Sequence, residues 1–114
     1  MRMNLKLAMI SQPMRGKTDE EIQATRNRAI EELKAHGYTV ANTYFKDLHI
    51  PLGTEYPAVY SLARALKVMS TCTLVYFCDG WENTRGCKIE HEVACAYGLT
   101  RMYENPKNIP TEGN

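Results

Sequence analysis

At 114 residues, 44% of them apolar, the chain has the length of one domain and enough hydrophobic side chains for one core. A net charge of +1 leaves no electrostatic footprint for DNA or RNA. No apolar run approaches the ~20 residues of a membrane helix, and Met1-Arg2-Met3-Asn4 is not followed by the core and cleavage site of a signal peptide, so a soluble cytoplasmic protein without membrane or nucleic-acid partners is expected.

Leu5 to Ile10 reads as a first strand, ending in the loop Ser11-Gln12-Pro13-Met14-Arg15-Gly16-Lys17. Thr18 followed by Glu21 is a capping box, and Asp19, Glu20 and Glu21 favour the positive end of a helix dipole. Ile22, Ala29, Ile30 and Leu33 recur at helical spacing up to Gly37, the expected left-handed stop. Tyr38-Thr39-Val40-Ala41 is a second short strand, and residues 42–56, with Pro51 and Gly53, form a long loop. A second helix starts near Pro57, with Val59, Leu62, Ala63, Leu66 and Met69 on one face.

Thr73-Leu74-Val75-Tyr76-Phe77-Cys78 is an unbroken apolar run of the kind found in parallel strands buried on both faces. The polar stretch from Asp79 to Arg85 leads into a third helix from about Gly86 to Tyr97, stopped by Gly98. Arg101-Met102-Tyr103 is a fourth strand, and 105–114 is a loop-like tail beyond a single α/β domain at 1–104. Alternating strands and helices imply a parallel sheet with right-handed crossovers. Ligands of such sheets bind beyond the carboxyl ends of the strands, where the strand order reverses. The Ser11–Lys17 and Asp79–Arg85 loops should meet there, each entering a helix N-terminus suited to anions.

Cys72, Cys78, Cys87 and Cys95 lack the close pairing of zinc sites. Cys72 and Cys78 would lie roughly 20 Å apart at the two ends of one strand. Four reduced, mostly packing cysteines are expected, with no metal and no cofactor.

On a wheel of the third helix with Ile89 at zero, Val93, Tyr97, Ala94 and Ala96 define an apolar arc, and Glu90 falls inside it near ~100°. Lys88, His91, Glu92 and Cys95 occupy the opposite side, which makes His91 a surface histidine. A carboxylate in an apolar arc is costly unless paired. It is either one half of a salt bridge with Arg15, Arg85 or Lys17, or a catalytic group whose basicity burial raises. Trp81 can stack on a base or serve as a lid packed on the core. Arg15 beside Gly16 can hold a phosphate or remain a solvated loop cation. Thr84 and Gly86 can offer a hydroxyl and a backbone N–H to a phosphate, or form an ordinary cap and turn. Asp79 and Glu55 are loop carboxylates with no geometric support.

The first-loop segment Ser11–Lys17, together with Asp79-Gly80-Trp81-Glu82-Asn83-Thr84-Arg85-Gly86-Cys87-Lys88-Ile89-Glu90-His91-Glu92, resembles the DUF4406 family of bacteria and phages. That family is similar in turn to the nucleoside 2-deoxyribosyltransferases and the 2′-deoxynucleoside 5′-phosphate N-hydrolases. The resemblance implies a small, flavodoxin-like, three-layer domain with a four-stranded or five-stranded parallel sheet, usually oligomeric. In those enzymes a Glu four residues after a Gly attacks the anomeric carbon, a spacing that Gly86 and Glu90 match. Thr84 and the Arg15-Gly16 pair match residues of the phosphate-specific members. The residues so marked are Glu90 for catalysis and Ser11, Arg15, Gly16, Trp81, Thr84 and Gly86 for substrate. The enzymes also carry an Asp on the helix before the third strand, thought to protonate the leaving base; the matching position here is Ala65, or Arg64 one residue away. The expected activity is on the N-glycosidic bond of a nucleoside or nucleotide, as hydrolase or transferase. The alternative is a binder or sensor of nucleotides that performs no chemistry.

Overall fold

The computed structural model describes residues 6–43 and 49–110. Leu5, the middle of the long loop and the last four residues of the tail lie outside the described residues. The elements are β1 (Leu7–Ser11), α1 (Asp19–Ala35), β2 (Thr39–Ala41), α2 (Pro57–Met69), β3 (Leu74–Phe77), α3 (Arg85–Ala96) and β4 (Thr100–Tyr103), with 3-10 turns at Trp81–Asn83 and Pro106–Asn108. All strand pairs are parallel and the order is β2-β1-β3-β4. This is the flavodoxin-like order, and among the described residues the sheet stops at four strands. The order reverses between β1 and β3, so the switch point lies where the two expected loops meet.

Alternation along the two central strands builds a three-layer sandwich. Ala8 and Ile10 of β1, with Leu74, Tyr76 and Cys78 around β3, pack against Ala29 and Leu33 of α1. Met9, Val75 and Phe77 point to the other face, onto Ala65 and Met69 of α2 and Cys87 and Ala94 of α3. All four residues of β3 are buried. That accounts for its unbroken apolar run. The capping box forms as the sequence requires: Glu21 N–H donates to Thr18 Oγ1 at 3.1 Å and Thr18 N–H to the Glu21 carboxylate at 2.9 Å. Gly37, one residue past the cap of α1, has φ +85°, as the predicted stop demands.

The second and third helices are rotated from the faces their apolar residues suggest. On α2 the buried residues are Ala65 and Met69, with Leu66 half-buried, while Val59 is 62% exposed and Ala63 is exposed. On α3 the buried residues are Cys87, Glu90 and Ala94. Ile89, Ala96 and Tyr97, three members of the predicted apolar arc, are exposed, Tyr97 at 79%. The wheel ranks residues by polarity, whereas close approach to a sheet selects small side chains such as Ala65, Cys87 and Ala94.

Candidate active site at the switch point

Glu90 lies in the second turn of α3, 9% exposed, on the helix face pressed toward the end of β1. Ser11, the last residue of β1, is 1% exposed and donates its hydroxyl proton to Glu90 Oε1 at 2.5 Å. Among the described residues no Lys or Arg nitrogen lies within ion-pair distance of this carboxylate. The structure therefore departs from the salt-bridge reading of Glu90: Arg15, Lys17 and Arg85 are exposed, and among the described residues none of them pairs with it. Burial pushes the Glu90 carboxyl above its usual range, and the Ser11 hydrogen bond pulls part of the way back.

Glu90 opens into a cavity of about 420 Å³ whose walls include Gln12, Met14 and Arg15 of the first loop and Leu62 and Ala65 of α2. Thr84 and Gly86 close the side at the start of α3. A neighbouring concavity shares Arg15, Thr84 and Gly86 and adds Lys17 and Arg85, so three cations surround one helix N-terminus. Thr84 occupies the N-cap position of α3, yet its side chain makes no capping bond and leans on the Gly80 carbonyl at 3.5 Å. The leading N–H groups of α3 are not covered by that hydroxyl. Gly16 turns the first loop with φ +79° and adds backbone, not a cavity wall.

Four of the expected site residues, Glu90, Arg15, Thr84 and Gly86, thus line one cavity system, and Ser11 stands behind it through its hydrogen bond to Glu90. Trp81 does not share it. It is 6% exposed and stacks on the His91 ring, centroids 4.1 Å apart, beside Phe77. Its packing is that of a lid on the core. His91 is half-buried and not on the solvent side: it lies edge-on to Phe77 and shares a hydrogen bond with Tyr103 Oη at 2.6 Å. Burial and the nearby Arg101 hold its imidazolium form below the usual range. Asp79 lines the cationic concavity and Glu55 a groove beside α2.

Ala65 lines the cavity, whereas Arg64 is exposed and not among its lining residues, so the wall that α2 contributes is apolar apart from the Ser61 hydroxyl. Gln12, Thr43 and Leu62 are cavity residues that sequence reasoning did not single out. All four cysteines are free. Burial pushes the Cys78 and Cys87 thiols up to about 12, which keeps them protonated and unreactive.

The family model for the domain of unknown function DUF4406 matches residues 6–103. The chain belongs to the DUF4406 family. The match runs from β1 to the last residue of β4 and so takes in the whole sheet and every cavity residue named above. Neither a curated protein nor a solved structure matches this DUF4406 chain. Among its described residues, no helix is long and apolar enough to cross a membrane.

The Ser11–Glu90 contact can be tested directly. Ser11→Ala removes the single group that favours the ionised carboxylate, and a hydrogen bond to a charged group is worth about 1.5–3 kcal/mol. Any activity that needs ionised Glu90 should fall by roughly ten- to a hundredfold at pH values on its acid limb. Its acid limb should move to higher pH, and Ser11→Thr should restore it. A pH profile unmoved by Ser11→Ala would show that the hydroxyl does not tune the carboxylate.

Proposed function

We propose that this protein binds a nucleoside or nucleotide over the strand ends and breaks its N-glycosidic bond, with Glu90 as the nucleophile. The observation that carries the reading is a buried carboxylate held, among the described residues, by a hydroxyl, and facing a cavity beside a cation-rimmed helix N-terminus. A carboxylate kept for stability would be paired; this one is exposed to whatever fills the cavity.

In this reading the phosphate rests near Thr84, Gly86 and Arg15, and C1′ lies against Glu90. A carboxylate oxygen of Glu90 forms a bond to C1′ while the C1′–N bond breaks, and the base leaves with that electron pair. Water then attacks C1′, loses a proton and frees the carboxylate, giving a hydrolase; a second base in place of water gives a transferase. The double displacement parallels that of retaining glycosidases. Ala65 offers no proton to the departing base, so the base takes its proton from solvent at the cavity mouth.

Incubation with a panel of nucleosides and nucleotides, followed by chromatography for free base, tests the reading. Release from at least one of them, faster with the 5′-phosphate than without, is the expected outcome. The lack of an acid at Ala65 favours a second reading, in which nucleotides bind and are not cleaved. Ligand-induced stabilisation with no free base after long incubation would decide for it.

The same proposal includes pairing of copies. Tyr56, Val59, Ile89 and Tyr97 are large apolar side chains left exposed around α2 and α3, and such patches commonly mark interfaces. Light scattering should return a mass of at least twice the 13.0 kDa chain. A monomer at high concentration would remove this part of the proposal.

A further inference from the structure

Among the described residues, three that carry hydroxyls line the Glu90 cavity, Thr43, Ser61 and Thr84, and a fourth, Ser11, stands behind it. Three of these four protons are already committed: Ser11 gives its own to Glu90, Thr43 to the Ile10 carbonyl at 3.0 Å and Thr84 to the Gly80 carbonyl at 3.5 Å. Ser61, on α2, is exposed. Helical serines commonly turn back onto a carbonyl of the preceding turn, as Ser70 at the end of α2 does onto Lys67. Ser61 makes no such bond among the described residues, so its O–H is available to whatever occupies the cavity.

The geometry of displacement decides where a free hydroxyl is useful. The helices α2 and α3 pack on the same face of the sheet, and both wall the cavity. Glu90 comes from α3, while Ala58, Ser61, Leu62 and Ala65 form a stripe along α2 at helical spacing. A nucleophile and its leaving group occupy opposite sides of the carbon at which they exchange. With Glu90 against one side of C1′, the base leaves from the other, toward the α2 stripe. Ser61 is the polar member of that stripe, about one turn before Ala65. The base departs with the electron pair of the C1′–N bond, so negative charge gathers on its ring nitrogen and carbonyl oxygens.

We propose that Ser61 is a further catalytic residue, whose hydroxyl donates a hydrogen bond to the departing base and stabilises the charge gathering there. A donor aimed at charge that develops in the transition state binds that state more strongly than the ground state, and so accelerates the step. Ser61 keeps its own proton throughout. The base takes a proton from solvent, and the attacking water later returns one. Exposure of Ser61 suits this role, because the base must meet solvent as it leaves. This inference rests on the glycosidic-bond reading above and supplies the leaving-group side of it.

The test compares base release by the full chain and by Ser61→Ala on two substrates. One is the nucleotide cleaved fastest; the other is its counterpart with a better leaving base, 7-methylated for a purine or 5-fluorinated for a pyrimidine. On the first, Ser61→Ala should lose roughly ten- to a hundredfold in kcat, with KM moved less than about threefold. A 7-methylated purine leaves uncharged and a 5-fluorinated pyrimidine leaves as a more stable anion, so on the second the loss should be smaller by at least about threefold. Ser61→Thr retains the hydroxyl and should stay within about threefold of the parent. Alanine is the better helix former at this exposed position, so Ser61→Ala should fold with a Tm no lower than the parent's. No loss, or an equal loss on both substrates, overturns the inference and leaves the glycosidic-bond reading standing. Absence of base release from every nucleotide by the unsubstituted chain overturns both.

Discussion

Glu90→Gln should abolish base release and at the same time make the protein more stable at neutral pH. The loss follows from the role: an amide is no nucleophile, and removing a nucleophile costs factors of 10³ or more in kcat. The gain follows from burial. Because the folded state holds the Glu90 proton more tightly than the unfolded chain does, the group's full stability is present below the unfolded carboxylate value. That stability is lost as pH rises through the higher folded-state value. Glutamine has the same shape, accepts the Ser11 proton and carries no charge to desolvate. Relief of such strained sites typically returns about 0.5–2 kcal/mol, and one kcal/mol moves Tm by about 4–8 °C in a domain of this size class. The Tm difference between variant and parent should therefore be positive at pH 7 and close as pH falls toward 4. A variant no more stable at pH 7 would mean that the carboxylate is compensated by a partner and is not poised for chemistry. Turnover unchanged in Glu90→Gln would end the nucleophile assignment outright.

Phe77→Ala should cost about 3–5 kcal/mol, the usual range for deleting a buried aromatic ring. Phe77 is fully buried at the end of β3, with ring centroids of His91, Trp81 and Tyr103 at 4.8, 5.4 and 5.7 Å. Three aromatic neighbours projecting from three different elements cannot all close on an alanine, so a cavity remains. Typical domains have only about 5–15 kcal/mol in total, and the variant should sit near the edge of folding at 37 °C. Phe77→Leu retains most of the volume and should lose well under half as much. Urea melts read both: the midpoint should drop with the slope unchanged. A loss below about 1 kcal/mol for the alanine would show that the aromatic cluster repacks. Because Phe77 stands immediately before the loop into α3, the same variant should weaken ligand binding even where it remains folded.

The layered architecture was legible because it depends on local signals that the tertiary structure does not override. The capping box at Thr18 and Glu21 and the glycine stop at Gly37 are set by backbone geometry, and the unbroken run through Leu74–Phe77 has no solvent face to serve. The fourth strand was found one residue late, at Arg101 and not Thr100. The rotations of α2 and α3 were not legible, because which face a helix buries depends on how closely its neighbours approach.

Glu90 was placed inside, but through an arc whose members Ile89 and Tyr97 turned out to be exposed. The better signal was its small neighbours Cys87 and Ala94, three before it and four after, which mark the side that can press against a sheet. His91 sits at the border of that true face, and this is why a wheel centred elsewhere assigned it to solvent. Gln12 and Thr43 could not have been recognised from their identities. Their side chains are anchored on the Ile22 and Ile10 carbonyls at the cavity wall, and only the folded chain shows that.

The hydrogen bond from Ser11 to Glu90 joins residues 79 positions apart in the chain. A contact of that span carries a loop-closure entropy that strand pairing and helix docking must offset. The carboxylate acquires its hydroxyl partner and its sheltered setting together, only once β1 and α3 are both in place. A nascent or partly opened chain holds Glu90 as an ordinary solvated acid with nothing to orient it. The proposed reactivity of Glu90 would thus require the completed fold, and recovery of base release after refolding should report the native state more stringently than recovery of secondary structure.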